Sequence, residues 1–188
     1  MSRTPVSLRE AVVSDAAFLV DLWQDTIRRA DRTDQVADLE TVIKTAAESP
    51  EQRLLVAEYD GHRAGAVFLM LGTLGPLNLE PVVYALSPHV TDEFQRKGIG
   101  RALMDAAVSL AEENGVTHIA TAAASGSRDG NRFLARLALG AAATLRVAPT
   151  HTVRAKLNAQ LPASQRVIGY RPQRVLAVRR SMRRSAQG

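Results

Sequence analysis

The chain has 188 residues, 46% of them apolar, no cysteine and a net charge of +5. That length suits one domain with a full core, and the lack of cysteine excludes disulfides, thiol nucleophiles and cysteine-based metal sites. Charge is unevenly divided: the first 145 residues carry 14 Lys/Arg against 19 Asp/Glu, whereas the stretch from Arg146 onward carries ten Lys/Arg and no acid.

The start, Met1 to Pro5, leads into Glu10 and Asp15 without the apolar core of a signal peptide. No run reaches the roughly 18 apolar residues that a membrane span needs. A soluble, cytoplasmic protein is therefore expected.

Val6–Ala11 alternates and reads as a first strand. Ser14 or Asp15 is placed to cap a helix whose stripe is Phe18, Leu19, Leu22, Trp23 and Ile27. A second helix carries Val36, Leu39, Val42, Ile43 and Ala46, and Ser49-Pro50 ends it. Leu54–Tyr59 and Ala64–Leu71 read as strands joined at Asp60-Gly61, a strong hairpin signal. Gly72–Leu79, with Gly72, Gly75 and Pro76, reads as a loop before a strand over Pro81–Val90. Pro88 cannot donate to a ladder, so it suits an edge or a place where two strands part.

The segment Gln95-Arg96-Lys97-Gly98-Ile99-Gly100-Arg101 then joins this strand to a helix. Ile99, Leu103, Ala106, Ala107, Leu110 and Ala111 recur on one helical face, and Gly115 suits a left-handed C-cap. The glycines allow positive φ and close approach to the backbone. Unpaired amides at a helix N-terminus, with Arg96, Lys97 and Arg101 nearby, make an anion site. Thr117–Ala123 reads as a further strand, and Ser125–Gly130 as a polar loop. Asn131 opens a helix over Arg132–Leu139 that Gly140 ends, and Ala141–Val147 is the last strand region.

In the tail, Thr150–Leu161 reads as helix, Pro162–Pro172 as a break, and Pro172–Ser185 as a basic amphipathic helix. Three readings of the tail compete: a helix packed on the domain, contact with an anionic partner such as nucleic acid or a membrane surface, and disorder. Tyr170 is its only aromatic residue, which argues against a base-stacking platform. The boundary falls after Val147: a domain over 1–147 and a basic extension over 148–188.

Gln95-x-x-Gly98-x-Gly100, set between a strand and a long helix, resembles the signature of the GCN5-related N-acetyltransferase family. The resemblance covers roughly residues 6 to 147. It implies a mixed α/β fold with a mostly antiparallel central sheet, splayed between strands 4 and 5 and flanked by helices. It implies acetyl-CoA as co-substrate, no metal, and a primary amine of a small molecule or peptide as acceptor. The Gln95–Arg101 turn would grip the diphosphate, the Val90 backbone would face the pantetheine arm and the thioester oxygen, and Arg128 and Asn131 would lie on the cofactor side. The helical pair over residues 15–46 would form one wall of the acceptor site, although its many Asp and Arg residues read first as a solvated helical surface.

The sequence departs from the family pattern at two places. Asp92 stands where proline is usual, so two acids precede the anion site. Many members carry a tyrosine near position 138 that protonates the departing thiolate, and here that residue is Ala138. An acceptor amine must be neutral to attack, so a general base is needed, with Glu80, then His89, then Tyr84 as candidates on the fourth strand. The alternatives are a catalytically weak or inactive acyl-CoA-binding module, or an anionic-partner binder acting through the tail. Oligomeric state is left open, a homodimer included.

Overall fold

The computed structural model describes residues 6–122, 127–143 and 145–160. The elements run β1 (Val6–Glu10), α1 (Ala16–Leu22), α2 (Arg32–Glu48), β2 (Gln52–Tyr59), β3 (His62–Gly75), β4 (Asn78–Val90), α3 (Ile99–Glu113), β5 (His118–Thr121), α4 (Arg128–Arg136) and α5 (Thr150–Gln160). Short 3₁₀ turns, Val13–Asp15 and Asp92–Phe94, precede α1 and α3. The chain divides into two units, Met1–Gly140 and Ala141–Gly188.

In the first unit the sheet order is β1-β2-β3-β4-β5. The first three joints are antiparallel and β4–β5 is parallel. This is the mixed, mostly antiparallel sheet expected. Alternation along the strands sorts side chains to two faces. Leu54, Val56, Ala66 and Phe68 meet Leu19, Val20, Leu22, Trp23, Leu39 and Ile43 of the α1–α2 layer. Ala57, Val67, Leu69, Val83 and Ala85 meet Ile99, Leu103, Met104, Ala107, Leu110 and Ala111 of α3. Each such large side chain contributes about 2 kcal/mol on burial, so the stripes read from sequence are what hold the layers together.

The α3 C-terminus closes as the glycine implies. Gly115 has φ +65, its amide donates to the Glu112 carbonyl at 3.2 Å, and the Val116 amide donates to Ala111 at 2.8 Å. This is the Schellman arrangement, which satisfies the last carbonyls.

Four expectations are corrected. Gly72–Leu79 is not a loop: β3 and β4 pair as far as Gly75 opposite Asn78, leaving Pro76-Leu77 as the turn. The glycines and prolines that suggested a loop sit at the end of a ribbon flanked by no other strand, where they disturb little. Asn131 does not open α4. Ser127 does, its hydroxyl accepting from the Gly130 amide at 3.2 Å, and Asn131 lies one turn inside. That helix ends before Gly140, because Ala138 takes the left-handed turn at φ +62 and Leu139 donates back to Leu134. The described part of Ala141–Val147 forms no strand, and Leu145 and Val147 are 89% and 85% exposed. The α5 helix forms as expected from Thr150 and buries none of its residues. Pro162–Pro172, Pro172–Ser185 and part of the loop before α4 lie outside the described residues.

Asp15 does not cap α1 in the usual way either. It is fully buried and its carboxylate turns back to the Val12 amide at 2.9 Å. It also meets Arg9 at 2.6 Å and Arg63 at 2.8 Å, joining β1, β3 and the start of α1. Arg9 reaches on to Glu58 at 2.7 Å. Burial pushes the Asp15 carboxyl up, but the Arg9 and Val12 hydrogen bonds and the two guanidinium charges outweigh it and hold the carboxyl below its usual range.

Candidate functional site

The residues Gln95–Arg101 form the turn into α3. Arg96 has φ +63 and Gly98, the N-cap, has φ +90. No side chain caps the helix, and the first helical bond runs from the Ala102 amide to the Gly98 carbonyl. The amides of Ile99, Gly100 and Arg101 therefore project from the helix mouth, where the helix dipole favours an anion. A Cβ on Gly98 would meet none of the described residues within 4 Å. Arg96 and Arg101 are exposed beside it. Lys97 is held to one side, its ammonium 4.8 Å from the ring centres of both Tyr59 and Phe94.

Gly100 faces the α4 helix. A Cβ there would lie 3.6 Å from the Phe133 ring of α4. This packing sets α4 against the first turn of α3 and brings Asn131, two residues before Phe133, to the same region. Asn131 is exposed and donates its side-chain amide to the Ser127 carbonyl at 2.7 Å, and Arg128 is exposed at the start of α4. The departure at Asp92 is locally accommodated, since Gln95 donates its side-chain amide to the Asp92 carboxylate at 2.8 Å.

The second feature is the gap beside β4. Among the described residues, pairing with β5 covers Val82 to Ala85, and the Thr121 hydroxyl donates to the Ala85 carbonyl at 2.7 Å in the last described rung. Beyond it, among the described residues, β4 continues to Val90 paired with β3. Within this stretch β4 bulges: Leu86 pairs with Phe68 and His89 with Ala66, so Ser87 and Pro88 together face Val67. Ser87 has φ +48, and the Trp23 indole donates to its carbonyl at 2.9 Å. The Thr91 amide donates across to Ala64 on β3. One residue back, the Val90 N–H points the other way, away from β3 and past the last described β4–β5 pair. Pro88 thus sits where the two strands part.

The three candidate bases share the α1–α2 face of β4 but are strung along it. Tyr84 pairs with Met70 and His89 with Ala66, both on that face. Tyr84 donates its hydroxyl to the Thr73 carbonyl at 2.8 Å. His89 is exposed next to Val90. Glu80 is exposed and its carboxylate lies 3.4 Å from the His118 ring. At about 3.3 Å per residue, Glu80 is roughly 20 Å along the strand from Leu86. The structure thus leaves His89 nearest the Val90 end of β4, while the Tyr84 hydroxyl, held at Thr73 opposite Pro81, lies with Glu80 toward the other end. Sequence reasoning missed Trp23, Gly65 and Phe133 as parts of this site: each acts through one contact with a distant segment, and only Pro88 marked the spot.

On the α1–α2 wall, Arg28 pairs with Asp38 and Arg32 with Asp21 through two hydrogen bonds each. The arginines hold both carboxyls below their usual range. These four charges are satisfied among themselves. Among the described residues, no group of three or more His, Asp or Glu is arranged to hold a metal ion, and no helix is long and apolar enough to cross a membrane.

The model of the acetyltransferase (GNAT) family matches residues 17–139. The chain belongs to this family. Similar solved structures include a transcriptional regulator from Bacillus halodurans C-125 (TM-score 0.66, 18% identity, 77% of this chain and 99% of that one). They include a ribosomal-protein-alanine N-acetyltransferase from Brucella melitensis biovar Abortus 2308 (TM-score 0.56, 19% identity, 77% and 99%). They also include an aminoglycoside N-acetyltransferase in complex with CoA (TM-score 0.58, 17% identity, 78% and 93%). At these identities the likeness is one of fold. A search of curated proteins finds no match.

Proposed function

We propose that this GNAT protein transfers an acetyl group from acetyl-CoA to a primary amine by direct attack within a ternary complex. One observation carries the reading. The uncapped mouth of α3 and the opening beside β4 are joined by ten residues, Val90 to Ile99, so one extended ligand with a diphosphate and an amide-bearing arm can meet both. The amides of Ile99, Gly100 and Arg101 would hold the diphosphate, with Arg96 and Arg101 adding charge; Lys97 would join them on leaving the Tyr59 and Phe94 rings. Arg128 and Asn131 would border the ligand from α4.

Bound acetyl-CoA supplies the activated acetyl thioester. The Val90 amide would donate to the thioester oxygen and stabilise the oxyanion as the amine attacks. The amine must lose a proton. His89 is the nearer of the candidate groups to accept it, directly or through water; Tyr84 keeps its proton on the Thr73 carbonyl and in that state could offer the amine a hydrogen-bond acceptor but not take its proton. Glu80, with His118 beside it, would stand farther along the acceptor face. With Ala138 past the end of α4 and turned left-handed, water would protonate the departing thiolate. Solved proteins of similar fold include N-acetyltransferases named for ribosomal-protein alanine, aminoglycosides and glucosamine-6-phosphate, so the acceptor is kept at the level of peptide or small-molecule amine.

The test pairs calorimetric titration with acetyl-CoA and thiol release across a panel of peptide and small amines. Binding with release supports the enzyme. Binding without release across the panel supports a second reading, an acyl-CoA-binding module, which the alanine at 138 favours. No binding removes both.

A further inference from the structure

Trp23 is the only tryptophan in the chain and closes the C-terminus of α1. It is almost fully buried. Its indole N–H reaches 64 positions along the chain to the Ser87 carbonyl, at 2.9 Å. That carbonyl belongs to the extra residue of the β4 bulge, where φ is +48 without glycine. An L residue holds this conformation in a strand only where its surroundings over-determine it. Pro88 follows and has no N–H, so the ladder to β3 cannot itself hold the bulge at this point.

The bulge decides which way Val90 faces. Backbone groups alternate sides along a strand, and Ala85 presents its carbonyl to the β5 side. Without an extra residue, His89 would share that direction and the Val90 amide would point at β3. One inserted residue reverses the parity. Consistently, the His89 carbonyl lies against Gly65 of β3, and the Thr91 amide bonds Ala64. We infer that Trp23 is a positioning residue: by holding the Ser87 carbonyl it pins the bulge and keeps the Val90 amide turned away from β3, past the last described β4–β5 pair. This rests on the acetyl-transfer reading for its catalytic consequence, but the backbone effect stands apart from it.

The test uses the full chain with two changes. Trp23→Phe keeps an aromatic ring and deletes the donor. Deletion of Ser87 removes the extra residue. Hydrogen exchange at the Val90 amide, read by NMR, follows the backbone directly. In the free wild-type protein this amide exchanges within about tenfold of an unstructured one, and saturating acetyl-CoA slows it. In the deletion it is slow in both states. Trp23→Phe melts as one cooperative unit, lowers kcat at least tenfold, and changes KM for acetyl-CoA less than threefold. A protected Val90 amide in the free wild-type protein overturns the inference, as does wild-type kcat in Trp23→Phe. If the deletion does not fold, heterogeneous Val90 exchange in Trp23→Phe supports the lock, and a wild-type pattern there overturns it. Failure of the wild type to bind acetyl-CoA in calorimetry removes the acetyl-transfer reading instead, and the Val90 exchange still judges the lock.

Discussion

A Cβ on Gly65 would stand 2.6 Å from the carbonyl oxygen of His89. The same atom would lie 3.2 Å from the Ile99 side chain and 3.3 Å from the Val90 Cα. Two backbones and the first residue of α3 meet at one point that only a hydrogen can occupy. Gly65→Ala must therefore push β4 away from β3 where Val90 is aimed. We expect a loss of about 2–3 kcal/mol of stability, in line with overpacking of a tight site, together with a tenfold or greater loss of acetyl-CoA affinity. Denaturant melts and calorimetry measure the two effects.

The two glycines of the α3 turn should behave differently. Gly98 has open space around it but φ +90, so Gly98→Ala strains the turn by about 1–2 kcal/mol and weakens acetyl-CoA binding. Gly100 has ordinary helical freedom, and an added methyl would only touch Phe133 at 3.6 Å. Gly100→Ala should keep near wild-type stability, whereas Gly100→Leu should displace α4. Equal affinities for Gly98→Val, Gly100→Leu and the wild type would remove the diphosphate cradle from the proposal.

Acid should unfold the first unit through Asp15. Its folded pKa lies below the unfolded value, so its contribution is fully present above about pH 4 and is lost as pH falls through the lower, folded value. Asp15→Asn should cost about 3 kcal/mol at neutral pH, the low end for a broken buried pair because both arginines also reach water. It should also flatten the dependence of the melting temperature on pH below 4. An unchanged acid limb in the variant would assign acid unfolding to other carboxylates.

Asp92 puts a negative charge beside the proposed diphosphate site, with Gln95 as its hydrogen-bond partner. A unit charge about 10 Å away in water is worth ~0.4 kcal/mol against each opposing charge. Asp92→Asn keeps the shape and removes the charge, so acetyl-CoA should bind two- to fourfold more tightly at low salt. The gain should shrink as ionic strength rises, and titrations at two salt concentrations check it.

The layers were legible because their signals are periodic. The stripe Ile99-Leu103-Ala107-Leu110 states a buried face turn after turn and is buried as read, and β2 and β3 were legible as apolar runs joined at Asp60-Gly61. The turn at Gln95–Arg101 was legible because its needs are local: left-handed backbone at Gly98 and a helix beginning at once. What escaped depends on single contacts between remote segments. Nothing near Trp23 announces Ser87, and nothing near Gly65 announces His89. The ribbon at Gly72–Leu79 was hidden because glycine and proline report backbone freedom rather than pairing. Similarly, Gly140 looked like a helix stop, but Ala138 took the left-handed position first.

Strand order matches chain order throughout the sheet, and only the last joint is a crossover. The first four strands can zip as hairpins, each closing a short distance along the chain, although the α1–α2 excursion delays β1. The parallel joint must instead wait for α3 to form and fold back, and non-local closures of this kind are slow. The proposed amide cradle opens that very helix, so it belongs to the element that must be in place before the far edge can join. A ligand gripping it would steady the support on which the last strand is hung.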